Sequence, residues 1–210
     1  QITFGNKTVV ATYPGDDKYR FNSTTANFTV NKRQSQVNVT VDAGLVGDDT
    51  VINVTIPANA TGYVIVNVDG TNYTVNTTNG NGSITIKDLG NTTHTVHVTY
   101  IGDDQYLPSE NETTFGIPKA NTTITIAVEN ITYGESANIT VTVEDDATGY
   151  ITIKINDTQE ITLPVVNGTV NWIVDGLAAG NYTVYANYSG DDKYNVNATD
   201  KDFEVRQISP

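Results

Sequence analysis

The chain has 210 residues, with 11 basic and 24 acidic side chains for a formal net charge of -13. Nucleic acid and anionic lipid are held by clustered Lys and Arg, so neither a nucleic-acid partner nor membrane contact by this segment is expected. Cysteine is absent, which removes disulfides, thiol catalysis and thiolate metal ligands, and methionine is absent too, from which a processed or excised piece of a longer chain is expected.

The first elements in chain order are a strand over 8–13, a turn at Gly15-Asp16-Asp17 and a strand over 25–31. The turn belongs to a motif written three times: YPGDDKY at 13–19, YIGDDQY at 100–106 and YSGDDKY at 188–194. The opening tyrosines are 87 and 88 residues apart, and Ala-Thr-Gly-Tyr recurs at 60–63 and 147–150. That period is the size of a small domain and exceeds the roughly 20 to 50 residues of solenoid repeats. Lys32, Lys119 and Gln207 fall at equivalent positions and mark the seams. The expected organisation is a two-stranded tail of a preceding repeat over 1–32, one repeat over 33–119 and another over 120–207.

Within the repeats the pattern is strand after strand. Val37, Val39 and Val41 alternate with polar residues, as do Ile52, Val54 and Ile56, and Ile139, Val141 and Val143, the period of two of a half-buried strand. Asp69-Gly70, Asn79-Gly80 and Asn167-Gly168 break the runs at the spacing of antiparallel sandwiches. No helical stripe of useful length is present. The expected fold is all-β, tandem immunoglobulin-like antiparallel β-sandwiches of about seven strands each, which need no disulfide at this size. Aligned core positions are Val96, Val98 and Tyr100 with Val184, Ala186 and Tyr188, and Trp172 aligns with Ile84 and reads as ordinary core.

The acidic turn joins the last two strands of each repeat. Glycine supplies the bend and aspartate caps it, so a plain turn accounts for the residue types. Calcium is the sharper alternative, with Asp103, Asp104, Asp191 and Asp192 as ligands, but the ion takes six to eight oxygens and the turn offers few. Glu144-Asp145-Asp146 would add ligands only in the last repeat, because Pro57-Ala58-Asn59 stands there in the one before. Adjacent solvated acids are also a poor acid-base pair. His94 and His97 point to opposite faces of a strand, and Tyr182 and Tyr185 replace them in the last repeat, so no zinc pair or catalytic base recurs. No catalytic residue, metal or cofactor is assigned, and the chain is read as non-enzymatic.

Asn-x-Ser/Thr is the abundant motif. Nineteen sequons occur, at Asn6, Asn22, Asn27, Asn38, Asn53, Asn59, Asn72, Asn76, Asn81, Asn91, Asn111, Asn121, Asn130, Asn138, Asn156, Asn167, Asn181, Asn187 and Asn197, where 24 Asn and 41 Ser plus Thr would place about five by chance. Asn and Thr can simply fill the outward positions of alternating strands, yet Asn is a poor strand former, so its recurrence favours glycan attachment and an extracytoplasmic surface.

The stretch from Leu177 through Gly180, Tyr182, Val184, Ala186, Tyr188 and Gly190 to Tyr194 resembles the last strands of bacterial-type Ig-like repeats. With this Asn/Thr richness the chain is most similar to the tandem repeats of adhesin-like cell-surface proteins of methanogenic archaea. The sequence departs from the pattern at Lys7 and His94, where the last repeat has Tyr182, so a tyrosine-corner hydrogen bond is expected only there. The resemblance implies an extracellular stalk and adhesion module, with neighbouring repeats of the same or another copy as partners and, in some members, other cells or surface glycans. The alternative is a self-assembling filament or surface-layer subunit completed by strand pairing between subunits, because a lone hairpin over 1–32 is marginal by itself.

Overall fold

The structure is a computed structural model that describes residues 2–156 and 158–208. The described residues form strands and turns without a helix, and the chain is all-β, built of immunoglobulin-like antiparallel sandwiches. It divides into two compact units. One takes in the residues up to 43, 49–87 and 93–116, the other 44–48, 88–92 and the residues from 117 onward.

In the first unit β1 (Gly5–Tyr13) and β2 (Asn22–Val30) form a two-stranded antiparallel ladder of their own. Five further strands then run in order: β3 (Asn38–Asp42), β4 (Thr50–Thr55), β5 (Tyr63–Val68), β6 (Thr71–Asn76) and β7 (Asn81–Ile86). β8 (Thr93–Tyr100) and β9 (Ser109–Gly116) complete the sandwich. One sheet has the order β3-β4-β7 and the other β6-β5-β8-β9. The inward positions follow the period of two: Val64, Val66, Val96 and Val98 are fully buried while their neighbours along the strand face outward or lie half-buried.

The second unit repeats this plan. β10 (Thr125–Ala127), β11 (Ile131–Thr132), β12 (Ala137–Thr142), β13 (Tyr150–Ile155), β14 (Gln159–Pro164), β15 (Thr169–Val174), β16 (Gly180–Tyr188) and β17 (Asn197–Arg206) form sheets of order β10-β12-β15 and β11-β17-β16-β13-β14. The short β11 pairs in parallel with β17, which distinguishes this sandwich from the first. Its core gathers Ile139, Val141, Ile151, Ile153, Ile155, Val184 and Ala186, all at zero exposure. Burial of such branched side chains contributes about 1.5–3 kcal/mol each, which is what holds two sheets together without a disulfide.

The aligned positions occupy equivalent places. Val96, Val98, Tyr100, Val184 and Ala186 are fully buried and Tyr188 is 2% exposed. Trp172 differs from the expectation of ordinary core: it is half-buried on β15 and packs against the core from its margin. Its strand is an edge of the three-stranded sheet, paired on one side with β12, so the indole lies at the border of the core. The turns follow the sequence closely, with Asp69 and Gly70 both at positive φ, as the two-residue hairpin between β5 and β6 requires.

Candidate functional site: acidic turns and sequon-bearing faces

The turn between β8 and β9 is built around Asp103. Its Oδ1 accepts the backbone N–H groups of Gln105 (2.7 Å) and Tyr106 (2.8 Å), closing the bend. Its Oδ2 reaches 42 residues back along the chain and accepts the N–H (2.7 Å) and hydroxyl (3.1 Å) of Thr61, just before β5. Tyr100, which opens the motif, donates its hydroxyl to the Thr61 carbonyl at 3.2 Å. Thr61 belongs to Ala-Thr-Gly-Tyr, so the two recurrent motifs are the halves of one latch.

The turn between β16 and β17 repeats the arrangement atom for atom. Asp191 Oδ1 accepts from the backbone of Lys193 (2.8 Å) and Tyr194 (2.7 Å), and Oδ2 from Thr148 N–H (2.7 Å) and hydroxyl (3.0 Å). Tyr188 donates to the Thr148 carbonyl at 2.7 Å. Gly190 sits at φ +70, and a Cβ there would lie 3.0 Å from the Tyr194 carbonyl and the Val196 nitrogen, so glycine is a geometric requirement of the bend. Lys32 and Lys119, the seam residues, donate their ammonium groups to the carbonyls of Asp103 and Asp191 respectively.

The electrostatics follow from these donors. Burial pushes the Asp103 and Asp191 carboxyls up, but the N–H groups of the latch outweigh it and hold each at about 2. Tyr100 is pushed up to about 12 by burial and by the adjacent Asp103, and Tyr188 is raised for the same reasons. The first aspartate of each turn therefore has both oxygens filled by protein donors. That is the chemistry of a structural clasp, and it differs from the outward-facing oxygens that calcium coordination requires. Asp104 and Asp192, the second aspartates, are exposed. Among the described residues no group of three or more His, Asp or Glu side chains is placed to hold a metal ion.

The remaining titratable candidates also have structural partners. His94 is buried, with Nδ1 2.6 Å from Asp69 Oδ2 and its ring 5.4 Å from that of Phe115. His97 is half-buried on the opposite face of β8, 3.5 Å from Glu110. In the last repeat Tyr182 stacks on Phe203 at 5.4 Å and donates its hydroxyl to the Ala178 carbonyl at 2.9 Å, the expected tyrosine corner. Glu144 accepts the Thr123 N–H, and Asp146 pairs with Lys193 (2.6 Å) and with the Tyr194 hydroxyl (2.7 Å). Asn59 and Gln105 occupy the Asp146 and Lys193 positions in the repeat before, so the charged pair is replaced there by a neutral one.

The sequons spread over the strands and turns. Of the nineteen, Asn111 and Asn156 are half-buried and the other seventeen are exposed. On the β3-β4-β7 sheet the register sets Asn38 and Asn81 opposite Thr55, and Asn53 opposite Thr40 and Ser83, so three sequons share one outward face. Cross-strand bonds between Thr hydroxyls and Asn carbonyl oxygens recur: Thr8 to Asn27, Thr29 to Asn6 and Thr140 to Asn171, at 2.7–2.8 Å. At the sequons Asn6 and Asn27 these bonds use Oδ1 and leave the amide nitrogen, the atom a glycan takes, uncommitted by them; Asn171 is followed by Trp172 and Ile173 and is not a sequon. Four other sequon Asn residues do donate Nδ2 to the backbone: Asn81 to Asn79, Asn91 to Ile117, Asn111 to Val37 and Asn197 to Thr122. Asn156 accepts the Thr183 N–H at 2.9 Å, the part Asp69 plays for Thr95 in the preceding repeat.

Residues 124–206 match the family described as bacterial Ig-like domain (group 3). No curated protein sequence matches the chain. Among solved structures it is similar to the fibronectin(III)-like modules of Clostridium thermocellum CbhA, at 15% identity and TM-score 0.35, covering 82% of this chain and 95% of that one. It is also similar to the Yersinia pseudotuberculosis adhesin InvE, at 16% identity and TM-score 0.37, covering 80% of this chain and 59% of that one. A third similarity is to the BSP domain of a biofilm associated protein, at 19% identity and TM-score 0.28, covering 83% of this chain and 30% of that one. The matched segment, from 124 to 206, holds β10 to β17.

Proposed function

We propose that the chain is a non-enzymatic segment of a glycosylated, extracellular cell-surface protein, in which Ig-like repeats over 33–119 and 120–207 act as stalk and adhesion module. The observation that carries this reading is the display of the sequons: seventeen exposed asparagines in a chain whose strands would be better served by other polar residues. A coat of glycans shields outward sheet faces and keeps a tandem array soluble at a surface. The latch supports a mechanical role, since it ties the turn between the last two strands of each repeat to the start of a strand some 40 residues earlier in the same sandwich. The matched Ig-like domain supports a module that carries binding or spacing in place of catalysis. Its partners in this reading are neighbouring repeats and, at the adhesive end, other cells or surface glycans.

A second reading, a self-assembling filament or surface-layer subunit, is favoured by one feature: the β1–β2 ladder, whose apolar residues Val9, Val10, Tyr13 and Phe28 are exposed. Labelling intact source cells with antibody against 33–207, before and after protease shaving, tests the first reading. Surface labelling that shaving removes, together with reduced attachment in cells lacking these repeats, is expected. Signal confined to broken cells would overturn it.

A further inference from the structure

The β1–β2 ladder carries a binding face whose occupant can be read from the rest of the molecule. Val9, Ala11, Tyr13, Phe28 and Val30 align with Val96, Val98, Tyr100, Phe115 and Ile117 and with Val184, Ala186, Tyr188, Phe203 and Val205. In the two sandwiches these positions are buried, with Phe115 half-buried, whereas Val9 is 51%, Tyr13 43% and Phe28 41% exposed. Among the described residues each strand of the ladder pairs only with the other, while the equivalent β8 pairs on both sides and β16 does likewise. An apolar face beside free strand edges is a surface for strand pairing.

The turn identifies the partner more closely. Asp16 Oδ1 accepts the N–H groups of Lys18 (2.8 Å) and Tyr19 (2.7 Å), as Asp103 and Asp191 do for their own turns. Its Oδ2, which in those turns takes a threonine N–H and hydroxyl, is met by the Tyr13 hydroxyl at 2.5 Å. The tyrosine that should bond the threonine carbonyl has turned onto the aspartate. Tyr19, the counterpart of the buried Tyr106 and Tyr194, is 58% exposed. The ladder therefore presents half of the latch along with half of the core.

We infer that this face binds a five-stranded Ig-like unit lacking its own last two strands, docked so that a strand opening with Ala-Thr-Gly-Tyr pairs along β1 and its threonine closes on Asp16. A second copy of this chain is a poorer fit, because Thr61 and Thr148 are already engaged by Asp103 and Asp191. A membrane is disfavoured by the polar edges of the ladder and by the net charge of -13. The inference stands apart from the adhesion reading, since it needs neither glycans nor a cell-surface location.

The test adds a second copy of residues 33–91, which hold β3 to β7, directly ahead of residue 5 in an otherwise complete chain, the join the 87-residue period prescribes. Amide exchange along β1 and β2 is compared with that of the original chain. Slowing by about 100-fold or more is expected as the ladder joins a cooperative sandwich. Asp16→Asn should erode that protection in the extended chain and change little in the original, and Thr61→Val in the added copy should do the same. Unchanged exchange in the extended chain would overturn the inference. So would concentration-dependent self-association of the original chain that Val9→Lys abolishes, because a second copy would then be the occupant.

Discussion

Replacing Asp191 by Asn isolates the latch in the last repeat with almost no change of shape. The amide oxygen can keep the Lys193 and Tyr194 N–H bonds, but the amide nitrogen then faces the N–H and hydroxyl of Thr148, 2.7 and 3.0 Å from the atom it replaces. The Thr148 hydroxyl can rotate away, while its N–H loses an acceptor, at about 1–3 kcal/mol for a group left unpaired. A carboxyl held at about 2 against a usual 3.8 gives a similar figure, about 2 kcal/mol. Asp191→Asn should therefore destabilise the second unit by about 2–3 kcal/mol. Trp172, the one tryptophan, lies in that unit on β15 and reports its unfolding by fluorescence in urea. With a slope near 1 kcal/mol/M the midpoint should fall by about 2–3 M. Asp192→Asn, at the exposed second aspartate, should stay within about 0.5 kcal/mol. The reasoning fails if Asp191→Asn moves the midpoint no more than Asp192→Asn does.

Acid should act through the same groups. Both carboxyls sit lower in the folded chain than in the unfolded one, so their contribution is complete above about pH 4 and disappears as pH falls from about 4 towards 2, and the Trp172 transition in Asp191→Asn should lose most of that dependence. Tyr182→Phe removes the bond to the Ala178 carbonyl and should cost about 1 kcal/mol, measured by the same fluorescence, whereas His94→Phe should leave the Trp172 transition unmoved. Gly190→Ala forces a Cβ to within 3.0 Å of backbone at φ +70 and should cost more than about 1 kcal/mol by urea titration. Chelator should leave the melting temperature within about 2 °C by calorimetry, and a larger drop would revive a bound cation at the acidic turns.

The sequence displayed its architecture because its signals are local or repeated. Alternation at positions such as Ile151, Ile153 and Ile155 needs only a buried face to become a strand, and Asp69-Gly70 needs only positive φ to become a hairpin. The two recurrent motifs were visible as words, but their joining was not, since Asp103 and Thr61 are 42 residues apart and meet only when β5 and β8 pair. The near-equal spacing between Ala-Thr-Gly-Tyr and the acidic turn, 42 residues from Thr61 to Asp103 and 43 from Thr148 to Asp191, was the available signal. Glu144 to Asp146 looked like spare metal ligands in one dimension and proved to be partners of Thr123, Lys193 and Tyr194 in three. The division of the sequons was equally hidden: Asn111 and Asn156 match the motif as well as Asn38 does, and only neighbouring strands reveal that they are half-buried and hydrogen-bonded to the backbone.

The most direct measurement of the central claim is glycopeptide mapping of the protein purified from its natural source. The account predicts sugar on several exposed strand asparagines, among them Asn38, Asn53, Asn138 and Asn187, with Asn111 bare because it is half-buried and its amide nitrogen is committed to the Val37 carbonyl. Nineteen unmodified asparagines would contradict it, and would return the Asn-x-Thr pattern to a plain polar covering of the sheets.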